Sequence, residues 1–234
     1  MNNLQSVNAF EAARSRSVAV FERANYRYAK TYEPVLAQFK KMRDDSRLDV
    51  VLPARRFKSE GDDAAYSKYR FENVPAVSWG VSKWSGNGKS KADVVEYSGF
   101  VYFDIDERGV SFADVKGGLL GSGLRDYVCA IWESLSGRGF GGLIYAPWIR
   151  SAEDYSAAFA YAEKLSGMRF DQNAKDATRI NYVTYCSLPY SGFDHALPLP
   201  MEESISFLKS DEKAAIKPGV VGKKGIVKPG VVGK

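Results

Sequence analysis

Apolar and polar positions repeat with two different periods along this chain, and the switches between them mark out its elements. Ser17 to Glu22 (SVAVFE) is β-branched and aromatic and predicts a strand. Thr31 to Asp45 predicts a helix, with Pro34 in its first turn and Val35, Leu36, Phe39 and Met42 on one face. Residues 55–98 are polar and rich in Gly and Ser, with scattered aromatic residues, and are expected to form loops with short strands. Gly99 to Asp106 (GFVYFDID) is the clearest strand pattern. Ser111 to Leu120 opens with Ser111 and Asp114 at capping-box spacing and predicts a helix. Tyr127 to Glu133 and Phe140 to Ala146 predict two strands around a Ser/Gly-rich turn. Ser151 to Ser166 repeats the capping signal with Asp154, carries a stripe of Tyr155, Phe159, Ala162 and Leu165, and stops at Gly167. Asn181 to Cys186 predicts a last strand. Together these elements predict an α+β fold of mainly antiparallel sheets with flanking helices.

The C-terminal segment breaks the pattern. Lys217-Pro-Gly-Val-Val-Gly-Lys223 recurs as residues 228–234, and Pro and Gly at this density stop both helix and strand. The division expected is a folded domain over 1–210 and a flexible basic tail over 211–234, read as a solvated linker in preference to a dedicated binding arm. The charge supports it. The chain has 33 Lys+Arg against 28 Asp+Glu, a net +5, and the tail holds six of those lysines against Asp211 and Glu212. The folded part is therefore close to neutral, so attraction to nucleic acid must come from a local patch or the tail.

Composition removes several chemistries. His195 is the only histidine, which excludes nucleases, relaxases and proteases that need two imidazoles, and the Cys2His2 finger. Cys129 and Cys186 have no partners at ligand spacing, so no zinc ribbon is expected, and two lone cysteines suit a reducing compartment. No apolar run approaches a secretory signal or a membrane span, which points to a cytoplasmic protein with no membrane partner.

Three constellations carry candidate chemistry. Asp104 and Asp106 end the GFVYFDID strand two positions apart, so both carboxylates project from one face at about 6–7 Å spacing while Val101, Phe103 and Ile105 face the core. Two hard oxygen donors on one edge suit Mg²⁺ or Mn²⁺, and carboxylates beside an apolar strand are costly without a cation. Ser134-Leu-Ser136-Gly137-Arg138-Gly139 lies between two apolar strands. It reads either as a plain hairpin turn or as a cradle of N–H groups, hydroxyls and Arg138 for a triphosphate. In Phe170 to Ile180, Asp171 offers a third carboxylate and Arg179 a fork for phosphate oxygens, while Asp176 and Arg179 also suit a surface ion pair.

The order of these pieces resembles the archaeo-eukaryotic primase superfamily, and within it the primase-polymerase-like domain of the VirE N-terminal type. The similarity spans roughly residues 17–195 and includes Leu52-Pro53 and Ser98-Gly99 upstream of FVYFDID. The resemblance implies an RRM-like catalytic core and a metal-dependent nucleotidyltransferase, a DNA primase-polymerase that initiates or extends strands on a single-stranded template in replication or repair. It makes Asp104, Asp106 and Asp171 catalytic ligands of two Mg²⁺ or Mn²⁺ ions, with Asp176 competing for the third place. Ser134, Ser136, Gly137, Arg138, Gly139, Asp176 and Arg179 then bind the nucleotide. Implied partners are single-stranded DNA and (d)NTPs, with a replicative helicase as a further candidate. Many family members have a histidine near the phosphates, and this chain has Phe140 at that place. Loss of that group suits an alternative, a catalytically degenerate single-strand-binding module of the same fold. Template contacts are assigned to Arg55, Arg56, Lys58, Trp79 and Trp84, by phosphate contact and stacking.

Overall fold

The computed structural model describes residues 8–86, 88–106 and 109–215. The repeated segments at 217–223 and 228–234 lie outside the described residues. In chain order the elements are α1 (Ala9–Ser15), β1 (Ser17–Phe21), β2 (Thr31–Pro34), α2 (Val35–Lys40), α3 (Leu48–Ser59), α4 (Asp63–Asn73), β3 (Ala76–Ser78), β4 (Val81–Trp84), β5 (Val94–Tyr97) and β6 (Phe100–Ile105). They continue with α5 (Phe112–Gly121), β7 (Val128–Glu133), β8 (Phe140–Tyr145), α6 (Ala152–Ser166), β9 (Asn181–Tyr182), β10 (Tyr190–Ser191) and α7 (Met201–Ala215). The α+β expectation holds, and every strand pairing among the described residues is antiparallel.

Two four-stranded sheets form the frame, ordered β2-β1-β3-β9 and β10-β7-β8-β6, with β4-β5 as a separate pair. Strand β6 is buried on both faces. On one, Phe103 stacks on Phe170 at 4.9 Å between ring centroids, and Phe170 meets Phe159 of α6 edge-on at 5.6 Å. On the other, Tyr102 packs near Trp132, and Trp132 near Trp79, which follows the short strand β3. Phe39 of α2 touches Trp132 and Phe193, so a single aromatic core joins the two sheets. Asp104 shares the Phe100–Tyr102 face and thus emerges at the rim of the seam between the sheets.

The expected strands around β1, β6, β7 and β8 are present within one or two residues, and the caps are as read. Ser111 and Ser151 each form a full capping box, and Gly167 closes α6 at φ +65°. Three expectations are corrected. The helix assigned to Thr31–Asp45 begins only at Val35, because Thr31–Pro34 pairs with Ser17–Val20 as an edge strand that tolerates Pro34, and Pro34 then caps α2. Residues 55–98 are not mostly loop. Helices α3 and α4 fill 48–73, hidden in the sequence because only Val51, Ala54 and Tyr66 are fully buried and Pro53 sits inside α3. The strand expected over 181–186 pairs only at Asn181 and Tyr182. Helix α7 covers Met201–Ala215. Among the described residues no helix is long and apolar enough to cross a membrane.

Candidate metal centre

Two segments distant in sequence build the site. Asp104 lies at the end of β6, opposite Gly141 of β8, and Asp106 follows one residue beyond the strand. Asp171 comes from the segment that follows α6. Phe170, clamped between Phe103 and Phe159, fixes the chain after α6, and the Asp171 N–H then donates to the Asp104 carbonyl at 2.8 Å. Asp171 caps the turn Gln172–Lys175, its carboxylate accepting from the Asn173 N–H at 3.1 Å and from Asn173 Nδ2 at 3.0 Å. As a result one oxygen from each of Asp104, Asp106 and Asp171 lies within 4.8 Å of the others.

The electrostatics are unfavourable without a cation. Burial, followed by the charges of Asp106 and Asp171, pushes the Asp104 carboxyl up to about 7, and the Tyr102 hydroxyl and Arg179 oppose this only in part. Asp104 Oδ1 is buried with no hydrogen-bond partner. Three hard oxygen donors, one of them orphaned, fit a divalent cation of the Mg²⁺ or Mn²⁺ kind and do not fit a soft thiolate- or imidazole-seeking metal.

The Ser134–Gly139 loop borders this cluster. A Cβ at Gly139 would stand 2.7 Å from Asp106 Oδ1 and 3.1 Å from the Ile105 carbonyl oxygen, so any side chain there would crowd the Asp106 carboxylate and the end of β6. Its own donors are used internally. The Gly139 N–H donates to Ser134 Oγ, the Arg138 N–H to Ser136 Oγ and the Gly137 N–H to the Ser134 carbonyl, and the two hydroxyls lie 3.0 Å apart. In this state the segment is a closed hairpin turn beside the carboxylates. The Arg138 guanidinium is turned away and donates to the Lys58 carbonyl at 2.6 Å.

Other assigned residues are placed differently. Asp176 is not part of the cluster: its carboxylate accepts from the Thr178 N–H and hydroxyl and pairs with Lys91 at 3.4 Å. Arg179 is exposed and close enough to act on the Asp104 charge. Trp79 and Trp84 are only 3% and 6% exposed, so they are core residues and offer no face for a base. Arg55 braces the Ser/Gly loop from behind, donating to the carbonyls of Ser134, Leu135 and Tyr185 and pairing with Glu133. Lys58 is engaged with Asp63 at 2.5 Å, whereas Arg56 is exposed with a long 3.9 Å contact to Glu60. Phe140 is not at a site-facing position. In β8 the residue opposite Asp104 is Gly141, and Phe140 points the other way, onto Phe112 of α5. No side chain fits at 141, where a Cβ would meet the Tyr102 hydroxyl and Trp132 Nε1, each at 3.0 Å.

Sequence reading passed over Tyr102, although the strand period places it on the Asp104 face. It also passed over Arg70, whose guanidinium lies 5.0 Å from the Tyr66 ring and 5.2 Å from the Tyr182 ring. Tyr66 and Arg70 are neighbours at i, i+4 on α4, and Tyr182 joins them only through β9.

Fold and site together define an α+β protein with a three-carboxylate cluster suited to a hard divalent cation. No family model matches the chain, and no curated protein does. A solved structure similar to it is the primase-polymerase (PrimPol) AEP domain of cyanophage S-2L, at 13% identity and a TM-score of 0.38, covering 85% of this chain and 89% of that one.

Proposed function

We propose that the protein is a metal-dependent nucleotidyltransferase, a primase-polymerase acting on a single-stranded template with (d)NTPs. The observation that carries the reading is the convergence of Asp104, Asp106 and Asp171 with the orphaned Oδ1 of Asp104 among them. Supporting it is the run β6-α5-β7-β8-α6, whose three strands lie in the order β7-β8-β6, with the Asp171 segment returning beside β6. That order resembles the first three strands of an RRM-like core with acidic residues at one strand end, while the fourth strand, β10, pairs with β7 at the edge opposite β6.

Asp104, Asp106 and Asp171 would hold the cations, two in this reading. Divalent ions there would activate the attacking hydroxyl and neutralise charge on the triphosphate. The chain's own part is positioning. The Tyr102 hydroxyl steadies the Asp104 carboxylate, whose affinity for a proton is raised by burial and then by Asp106 and Asp171. Arg179 stands beside the cluster as a cation for phosphate oxygens. The Ser134 and Ser136 hydroxyls can exchange their mutual bond for phosphate contacts, and Arg56 is available to the template backbone.

The closed state of the Ser/Gly loop and the lack of a side chain at Gly141 favour, as a second reading, a module that binds single strands without synthesis. Incubating the protein with labelled single-stranded DNA, dNTPs or NTPs and Mn²⁺ or Mg²⁺ separates the readings. Longer products that disappear in the Asp104→Ala, Asp106→Ala double variant support the enzyme. A mobility shift without product supports the binding module, and shortened strands identify a nuclease instead.

A further inference from the structure

The tip of the β1–β2 hairpin, Glu22 to Lys30, interleaves basic and aromatic residues (ERANYRYAK) and projects them outward. Tyr26 is 39% and Tyr28 53% exposed. Arg23 lies 5.9 Å from the centroid of the Tyr26 ring, and Arg27 lies 5.5 Å from that of Tyr28. The tip is held in shape from below. Ala24 is buried, its carbonyl accepts from Lys89 Nζ at 2.5 Å, and the Lys30 N–H donates to the Val20 carbonyl at 2.7 Å. Two exposed rings, each with a guanidinium beside it, thus stand together on one anchored turn.

We propose that this hairpin tip is a stacking platform for single-stranded nucleic acid, a surface separate from the carboxylate cluster that leads a strand toward it. Planar phenol rings take bases without regard to sequence, and guanidinium groups on their margins meet the phosphates between those bases. Arg23, Arg27 and Lys30 outnumber Glu22, which pairs with Lys30 at 3.5 Å, and Arg27 also acts on the Asp93 carboxylate. The charge complementarity thus rests chiefly on Arg23 and on the cationic edge of the Arg27–Tyr28 pair. The sheet supplies the path. Phe21, Ala76 and Tyr182 form one transverse row, so the tip leaves the first sheet at the same end where Tyr182 meets Arg70, and Tyr182 lies within reach of the Arg179 charge that also acts on Asp104. At strand spacings of about 4.8 Å, β1 and β9 in that row are about 10 Å apart, within the span of two or three nucleotides. The proposal rests on the polymerase reading for the direction of the strand, but the binding itself requires no metal.

The test measures anisotropy of labelled oligo(dT) with the full chain in EDTA, for wild type, Tyr26→Ala/Tyr28→Ala, Tyr26→Phe/Tyr28→Phe and Arg23→Ala. These side chains are exposed, so melting temperatures should stay near wild type. Loss of two stacked bases should weaken binding at least tenfold, and the phenylalanine pair should retain it. Arg23→Ala should lower the slope of log affinity against log salt by about 0.7, the share of one phosphate contact on a single strand. Binding by the alanine pair within twofold of wild type overturns the proposal, as does equal affinity for poly-glutamate, which would mark an acidic protein partner. If the alanine pair loses binding while wild type makes no product, the platform stands and the polymerase reading fails. If wild type makes product and the alanine pair binds normally, the reverse holds.

Discussion

Replacing Asp104 by Asn removes one negative charge from a half-buried cluster of three and keeps the shape of the side chain. The Asp104 carboxyl is raised to about 7 from an ordinary 3.8, chiefly by burial and then by Asp106 and Asp171. The folded protein therefore holds this proton more tightly than the unfolded chain. Stability from that group is fully present below about pH 4 and is lost as pH rises through about 7. A shift of about three units corresponds to about 4 kcal/mol at pH 8, an upper bound that water access and side-chain relaxation reduce to about 2 kcal/mol. Asn carries no such penalty. In EDTA at pH 8, Asp104→Asn should melt about 4–8 °C above wild type, at about 2–4 °C per kcal/mol for a domain of this size, and the gap should close by pH 4. Saturating Mn²⁺ should reverse the ranking, because it stabilises only the form that binds it. Scanning calorimetry at the two pH values, with and without Mn²⁺, checks both arms. A variant that melts at or below wild type at pH 8 in EDTA would refute the argument that burial and the two neighbouring carboxylates penalise the Asp104 charge.

The same proton governs cation affinity. Mn²⁺ should bind about tenfold more weakly at pH 6 than at pH 8 by titration calorimetry, since the ion must displace a proton held with a pKa of about 7, and a flat profile would remove Asp104 from the ligand set. Phe170→Ala should cost about 3–5 kcal/mol in denaturant unfolding, because it empties the slot between Phe103 and Phe159. It should also weaken Mn²⁺ binding by loosening Asp171, and a loss under about 1 kcal/mol would show that the ring is not the anchor. Gly139→Ala should lower Mn²⁺ affinity with little effect on melting in EDTA, because the added methyl reaches Asp106 Oδ1 and the Ile105 carbonyl before it meets the core. Unchanged affinity would mean that the loop yields freely.

Short-range chemistry in the sequence determined the local features. The run GFVYFDID fixed a strand, its period of two fixed the common face of Tyr102, Asp104 and Asp106, and the Ser-x-x-Asp pairs fixed where α5 and α6 begin. These depend on neighbours within four residues. Tertiary structure decided everything that requires distant segments to meet. Asp171 rather than Asp176 joins the cluster because Phe170 packs between Phe103 and Phe159, a choice no local signal distinguishes. Trp79 and Trp84 read equally well as stacking residues until the second sheet covers them, and Arg55 reads as a phosphate contact until the Ser/Gly loop folds over it. Helices α3 and α4 were obscured for the same reason. Their stability comes from a few buried contacts with the rest of the protein, and a sparse apolar face leaves a weak period in the sequence. The charge repulsion at Asp104 is likewise a property of the assembled fold, since it arises only when burial and two other carboxylates meet at one strand end.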